Sequence, residues 1–263
     1  MDSWVIHQKS VIDEQNEEYS LSQKQILSKI VAAERIEELL YYSQKYQHDA
    51  NPANNTSDAS VDGARSSPTL KLSSYHYNTV IFAWTRVLEP SSRILKEIRE
   101  LDKGTSNAFV PRGIPQRASQ ILEQMEKLSM IPGSSVKPSI ETYNSVIKAW
   151  SLSHEHRAAS MAQSIFHKLA RLPNRRRGYN YYEPINASDE YAVSSVSASD
   201  IDPNECTYKT MIRAWCQSNQ KGAAFNATGY LFEMEDMWQS GHDIYQPSLD
   251  DYLRVLKAWS ETE

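Results

Sequence analysis

Between Leu21 and Tyr46 apolar residues recur at three- and four-residue steps: Ile26, Ile30, Ala33, Ile36, Leu39 and Leu40. Lys29, Glu34, Arg35, Glu37 and Glu38 fill the other face, so the stretch predicts one long amphipathic helix. The same period returns over 74–87 and over 115–129, where Ala118, Ile121, Leu122, Met125 and Leu128 form a stripe. Pro115 suits a first helical turn, and Pro132-Gly133-Ser134-Ser135 ends the run. Further helical stripes are Ala162, Ile165, Phe166 and Leu169, then Ala227, Tyr230, Leu231, Met234 and Met237. A short charged helix is expected over 94–101. The intervening stretches 49–72 and 173–200 are polar and apolar-poor, so they are expected to remain disordered.

The stripes belong to a repeat. One nine-residue phrase occurs four times, most legibly from Thr142 to Trp150 as Thr-Tyr-Asn-Ser-Val-Ile-Lys-Ala-Trp. The other copies run over 76–84, 207–215 and 251–259, each with tyrosine second and Ala-Trp last. Tyr143 to Ala162 spans 19 residues, as does Tyr208 to Ala227; Ala118 to Tyr143 spans 25, as does Ala227 to Tyr252. The uninterrupted unit is therefore two helices and two linkers in 44 residues. The expected organisation is an acidic N-terminal segment with a partial repeat helix (1–48), an insert (49–72) and a repeat array (73–263). The array divides into units at about 73–137, 138–202, 203–246 and a partial 247–263. A chain ending on a first helix is expected to leave an apolar face uncovered.

On a helical wheel Tyr143, Val146, Ile147 and Trp150 cluster on one face, which predicts core. Ala149, with Ala83, Ala214 and Ala258, flanks that face and permits close helix approach. The other flank carries the residue after the tyrosine and the one four later. These pairs are Asn78/Phe82, Asn144/Lys148, Lys209/Arg213 and Leu253/Lys257.

Charge modifies this picture. The net charge of −5 argues against a nucleic-acid partner, but residues 1–62 carry five Lys/Arg against eleven Asp/Glu. The remainder is nearly neutral, which weakens the objection without supplying support. No stretch approaches the roughly 18 apolar residues of a membrane span. Residues 1–20 resemble neither a secretory signal nor a transit peptide. Cys206 and Cys216 lack disulfide-framework or zinc spacing, which fits a reduced compartment. His154-Glu155-His156 lacks a third ligand, and Arg175-Arg176-Arg177-Gly178-Tyr179 fits a solubilising charge run better than an RNA arm. Phosphate-loop, nucleophile-elbow and metal-hydrolase motifs are absent, so neither an enzyme nor a cofactor is expected.

Tyr-Asn-Ser-Val-Ile-Lys-Ala-Trp, the Ala-x-x-Ile second helix and the Val136-Lys137-Pro138-Ser139 loop together resemble the pentatricopeptide repeat family. Asp202-Pro203-Asn204 and Gln246-Pro247-Ser248 repeat that loop. The unit is longer than that family's usual repeat, and the Ala-Trp ending and large inserts are atypical. The resemblance implies an all-α, right-handed solenoid of antiparallel helix pairs that binds single-stranded RNA at about one base per repeat. It further implies organellar RNA processing, stability or translation, in a mitochondrion or plastid. The implied base readers are Asn78 with Ser139, Asn144 with Asn204, and Lys209 with Ser248. The first two pairs would address pyrimidines, and Lys148, Arg213 and Lys257 would suit phosphates. Leu253 cannot hydrogen-bond a base. The competing expectation is a protein-interaction scaffold of the tetratricopeptide type. Neither a membrane nor a small-molecule substrate is expected.

Overall fold

The structure is a computed structural model that describes residues 21–49, 71–89, 113–153, 155–170, 201–218 and 220–261. These residues are all-helical. The α-helices are α1 (Leu21–Asp49), α2 (Ser74–Val87), α3 (Ile114–Ser129), α4 (Ile140–Ser153), α5 (Ala158–Ala170), α6 (Glu205–Cys216), α7 (Ala223–Gln239) and α8 (Leu249–Ser260). A single 3-10 turn, Asp243–Tyr245, precedes α8. The helix expected over 94–101, residues 50–70 of the first polar insert, the whole of the second, His154 and the Arg175–Arg177 run lie outside the described residues; of the first insert's ends, Asp49 belongs to α1 and Leu72 is buried.

Each phrase forms a helix because its start is capped. Asn204 has extended backbone, and its side chain accepts from Thr207 N at 3.1 Å while Asn204 N donates to Thr207 Oγ1 at 3.0 Å. Ser248 and Asp251 repeat the exchange before α8, and Ser139 and Thr142 before α4. This reciprocal satisfaction of two orphan amides is a capping box. The preceding Pro138, Pro203 and Pro247 keep the chain from entering the helix early. At the other end of α7, Gly241 has φ 91°. His242 N then donates to Met237 O and Gly241 N to Trp238 O, closing a Schellman turn that an L side chain would strain.

The residues fall into two compact units, Met1–Ile114 and Pro115–Glu263, a division lying within the first sequence repeat. In the first, α1 packs along α2. Ile26, Ile30 and Ala33 from α1, with Tyr77, Ile81 and Trp84 from α2, are buried. Lys29 Nζ donates to the carbonyl of Arg86 in the last turn of α2 (3.4 Å) and to that of Glu89 just beyond it (3.2 Å), supplying donors that the helix end lacks. Trp84 Nε1 donates to Glu37 at 3.0 Å.

In the second unit α4 packs on α5 and α6, and α6 also meets α5, α7 and α8. Tyr143, Val146, Ile147, Trp150 and their counterparts Tyr208, Met211, Ile212 and Trp215 are buried, as the wheel predicts. Each such apolar side chain contributes roughly 1.5–3 kcal/mol through burial. Ala33, Ala118, Ala162 and Ala227, the shared alanine of the second helices, are fully enclosed. Phe166 meets Tyr208 and Tyr230 edge-on at 5.4 and 5.0 Å, so aromatic rings tie α5, α6 and α7 together.

Candidate nucleic-acid interface

Asn144 follows the buried Tyr143 by one residue, so α4 holds its amide at the margin of the core, half-buried. Its position faces the N-terminus of α6. Asn144 Nδ2 donates to Asn204 Oδ1 at 3.1 Å, and Thr207 Oγ1 donates to Asn144 Oδ1 at 2.6 Å. Together with the two cap bonds, these contacts close a ring: Asn204 N donates to Thr207 Oγ1, Thr207 Oγ1 to Asn144 Oδ1, Asn144 Nδ2 to Asn204 Oδ1, and Thr207 N to that same Asn204 Oδ1. The Thr207 N–H fixes the Asn204 oxygen, and that oxygen in turn requires the Nδ2 of Asn144, so both amides are oriented; the Thr207 hydroxyl lies within hydrogen-bond distance of both amide oxygens. One Nδ2 hydrogen of Asn144 and the Nδ2 group of Asn204 make no hydrogen bond with the described residues. The seam therefore retains N–H donors to offer a ligand.

The next seam, between α6 and α8, has the same geometry with different chemistry. Lys209 occupies the place of Asn144 and pairs with Glu205 one turn back, while its Nζ lies 4.0 Å from Asp251. Asp251 is the buried third helical residue of α8 and accepts from Ser248 N (2.9 Å) and Oγ (2.6 Å). The Glu205 hydrogen bond, with the Glu205 and Asp251 charges, raises the Lys209 pKa despite partial burial. This seam is sealed by charge, and the Ser248 hydroxyl proton is committed to a carboxylate.

The expected base readers therefore fare differently. Asn144 and Asn204 meet directly. Lys209 and Ser248 are joined through Asp251. Asn78 lies on α2 in the first compact unit, whereas Ser139 lies in the second. Ser139, Asn204 and Ser248 are all helix caps, so each uses part of its hydrogen-bonding capacity on its own helix. Of the three cations assigned to phosphates, Lys148 is half-buried and Arg213 is exposed with no carboxylate in ion-pair range among the described residues. Lys257 is exposed, 3.7 Å from Glu261.

Several contributors escaped the sequence. Thr207 and Asp251 are third-position cap residues, visible only as an Asn/Ser-x-x-Thr/Asp pattern. Tyr143 Oη donates to Glu126 at 2.9 Å, and Tyr252 Oη to Glu235, each 17 residues back. Lys168 also pairs with Glu126. Trp150 Nε1 donates to Ser119 (2.8 Å) and Trp259 Nε1 to Thr228 (2.9 Å), each 31 residues back. Those equal spacings were the available signal. Gln116 also donates to Glu155, and Ser160 meets Gln220.

Neither cysteine forms a disulfide, and burial pushes the Cys216 thiol up to about 11, which makes it a poor nucleophile. Among the described residues no group of three or more His, Cys, Asp or Glu is placed to hold a metal. No described helix is long and apolar enough to cross a membrane. Comparison of the chain with known protein families, curated proteins and solved structures finds no match.

Proposed function

We propose that this chain is a pentatricopeptide-like solenoid that binds single-stranded RNA, serving RNA processing, stability or translation in a mitochondrion or plastid, without catalysis of its own. The observation that supports it most is the meeting of Asn144 and Asn204, 60 residues apart in sequence and joined amide to amide at 3.1 Å. Their uncommitted N–H groups suit carbonyl and ring-nitrogen acceptors on a base edge, and Lys148 and Arg213 follow on the two helices that form that seam. Of the two seams described in the second unit one has this character, so affinity is modest and its selectivity is confined to about one base.

The test is fluorescence anisotropy with a cytidine/uridine-rich oligonucleotide and a purine one at low salt. The pyrimidine strand binds more tightly, and Asn144→Ala reduces that preference while circular dichroism shows the helices intact. Equal binding of both strands, or a preference untouched by Asn144→Ala, ends the base-reading proposal.

The charge-sealed seam at Lys209 favours the second reading, a protein-interaction scaffold, because its polar groups are already satisfied internally. Retention on an RNA column at low salt, with release at higher salt, separates the two. A protein that never binds the column argues for the scaffold.

A further inference from the structure

The two seams between consecutive first helices share a layout and differ at one enclosed position. Three residues past each cap stands a side chain that the seam covers: Thr207, 0% exposed, between α4 and α6, and Asp251, 5% exposed, between α6 and α8. Each completes a capping box, Asn204 N donating to Thr207 Oγ1 (3.0 Å) and Ser248 N to Asp251 Oδ2 (2.9 Å). Either residue thus serves the helix start. What the two return to the seam is opposite in sign.

A threonine hydroxyl that accepts the cap N–H still has one proton to give. Asn204 Oδ1 is already taken by Thr207 N and Asn144 Nδ2, each at 3.1 Å. The hydroxyl proton therefore goes to Asn144 Oδ1, the nearer amide oxygen at 2.6 Å against 3.0 Å. Both amide oxygens are consumed within the seam, and what is left for a ligand is N–H. A carboxylate has no proton to give and draws donors to itself. Asp251 Oδ2 accepts from both the amide and the hydroxyl of Ser248 and holds Lys209 Nζ at 4.0 Å. The donors of that seam are spent on it. We infer that this enclosed residue, third in the following helix, determines what a seam offers a ligand. A hydroxyl there leaves N–H donors for an acceptor edge, and a carboxylate there withdraws them. Thr207 is thus a positioning residue that acts through Asn144 and Asn204, and Asp251 is what keeps Lys209 and Ser248 from reading a base. That role takes its purpose from the RNA binding proposed above, whereas the hydrogen-bond polarity is measurable without RNA.

Thr207→Asp is the discriminating replacement, because Asp251 shows that an aspartate completes the same cap. A residue that only capped α6 would leave the seam unaltered by this exchange. Side-chain amide proton exchange, followed by NMR on the whole isotope-labelled chain, reads the result. In the natural protein one Asn144 Nδ2 proton is held by Asn204 and the other exchanges readily. In Thr207→Asp the carboxylate takes that second proton and slows its exchange by about tenfold or more, as for a hydrogen bond to a charged acceptor. Thr207→Ser keeps the hydroxyl and with it the original pattern. Fluorescence anisotropy then finds the preference for the cytidine/uridine-rich strand lost in Thr207→Asp and retained in Thr207→Ser, with equal helix content by circular dichroism. Lys209→Asn, Ser248→Asn and Asp251→Thr together open the second seam and raise the preference by about fivefold, the worth of roughly one further hydrogen bond. An Asn144 exchange pattern unaltered by Thr207→Asp overturns the inference, whatever RNA does. So does a preference that survives Thr207→Asp, or one that the triple replacement fails to raise. Absence of any preference in the natural protein, with the exchange pattern altered as expected, defeats base reading alone and leaves Thr207 in its positioning role.

Discussion

The four phrase tryptophans illustrate how one residue in one sequence context acquires different partners. Trp150 and Trp259 donate to hydroxyls, Ser119 and Thr228, that directly follow the enclosed alanine of a second helix. Trp84 uses Glu37 instead. Trp215 is buried, but its indole N–H has no acceptor among the described residues. The residue after the corresponding alanine is Gln163 rather than a hydroxyl side chain. A buried donor left unmet costs about 1–3 kcal/mol, whereas a made hydrogen bond contributes about 1 kcal/mol. Trp150→Phe is therefore expected to destabilise the fold by about 1 kcal/mol more than Trp215→Phe, measured by urea unfolding. Equal losses would place an acceptor, such as a buried water, at Trp215. The identity of the core positions was legible from helical spacing; the fate of each polar atom on them was not, because periodicity reports faces and not partners.

At the scale of elements, the helices are joined by polar contacts at their edges as well as by apolar burial. Tyr143 to Glu126 links α4 to α3, and Tyr252 to Glu235 links α8 to α7. Burial first, then the Glu126 charge and hydrogen bond, raises the Tyr143 pKa well above 10.0. The Glu235 hydrogen bond, then burial, pushes Tyr252 up to about 12. The fold thus holds both phenols protonated, while the unfolded chain loses those protons near pH 10. Their contribution is complete below pH 10 and is lost as pH rises through the folded values, from about 10 toward about 12 for Tyr252. Stability measured by denaturant titration is expected to fall over this alkaline range. Tyr143→Phe should flatten the fall, and an unchanged slope would dissociate the phenol from the linkage. Helix limits were largely predictable: 74–87 is observed at those bounds, and the long N-terminal helix runs three residues beyond Tyr46. The inter-helix partners were hidden in equal spacings that carry meaning only once two helices are known to be neighbours.

For the whole molecule, charge is unevenly spent. The net negative charge lies before residue 63, and the nearly neutral remainder carries the cations assigned to RNA. Two to three phosphate contacts imply that log K for a single strand falls with log salt at a slope between about −1.4 and −2. A salt titration of RNA affinity checks this. A slope near zero would mean that Lys148, Arg213 and Lys257 do not touch the backbone. Charge reversal at Arg213, which is exposed and lacks a carboxylate in ion-pair range among the described residues, should lower the slope by roughly one contact. Because Lys209 is held by Glu205 and Asp251, its substitution should change stability more than the salt slope.

The repeat, its 44-residue unit, the all-helical class and the buried stripe followed from sequence alone, because helical period and internal spacing are local properties that need no knowledge of neighbours. Tertiary structure decided what the flanking polar residues do. Asn144 and Lys209 hold the same place in the phrase, yet one joins an amide ring that keeps N–H donors and the other is consumed by carboxylates. The difference arises from Thr207 and Asp251, the third-position cap residues of the following helix, which pairing of consecutive first helices brings against them. The same reasoning separates Ile147 from Leu256: identical position and similar side chain, one enclosed by α5 and its neighbours, the other open to solvent. A hydrogen bond or a covered methyl group depends on which surface lies across from it, and that is set by packing between segments far apart in the chain.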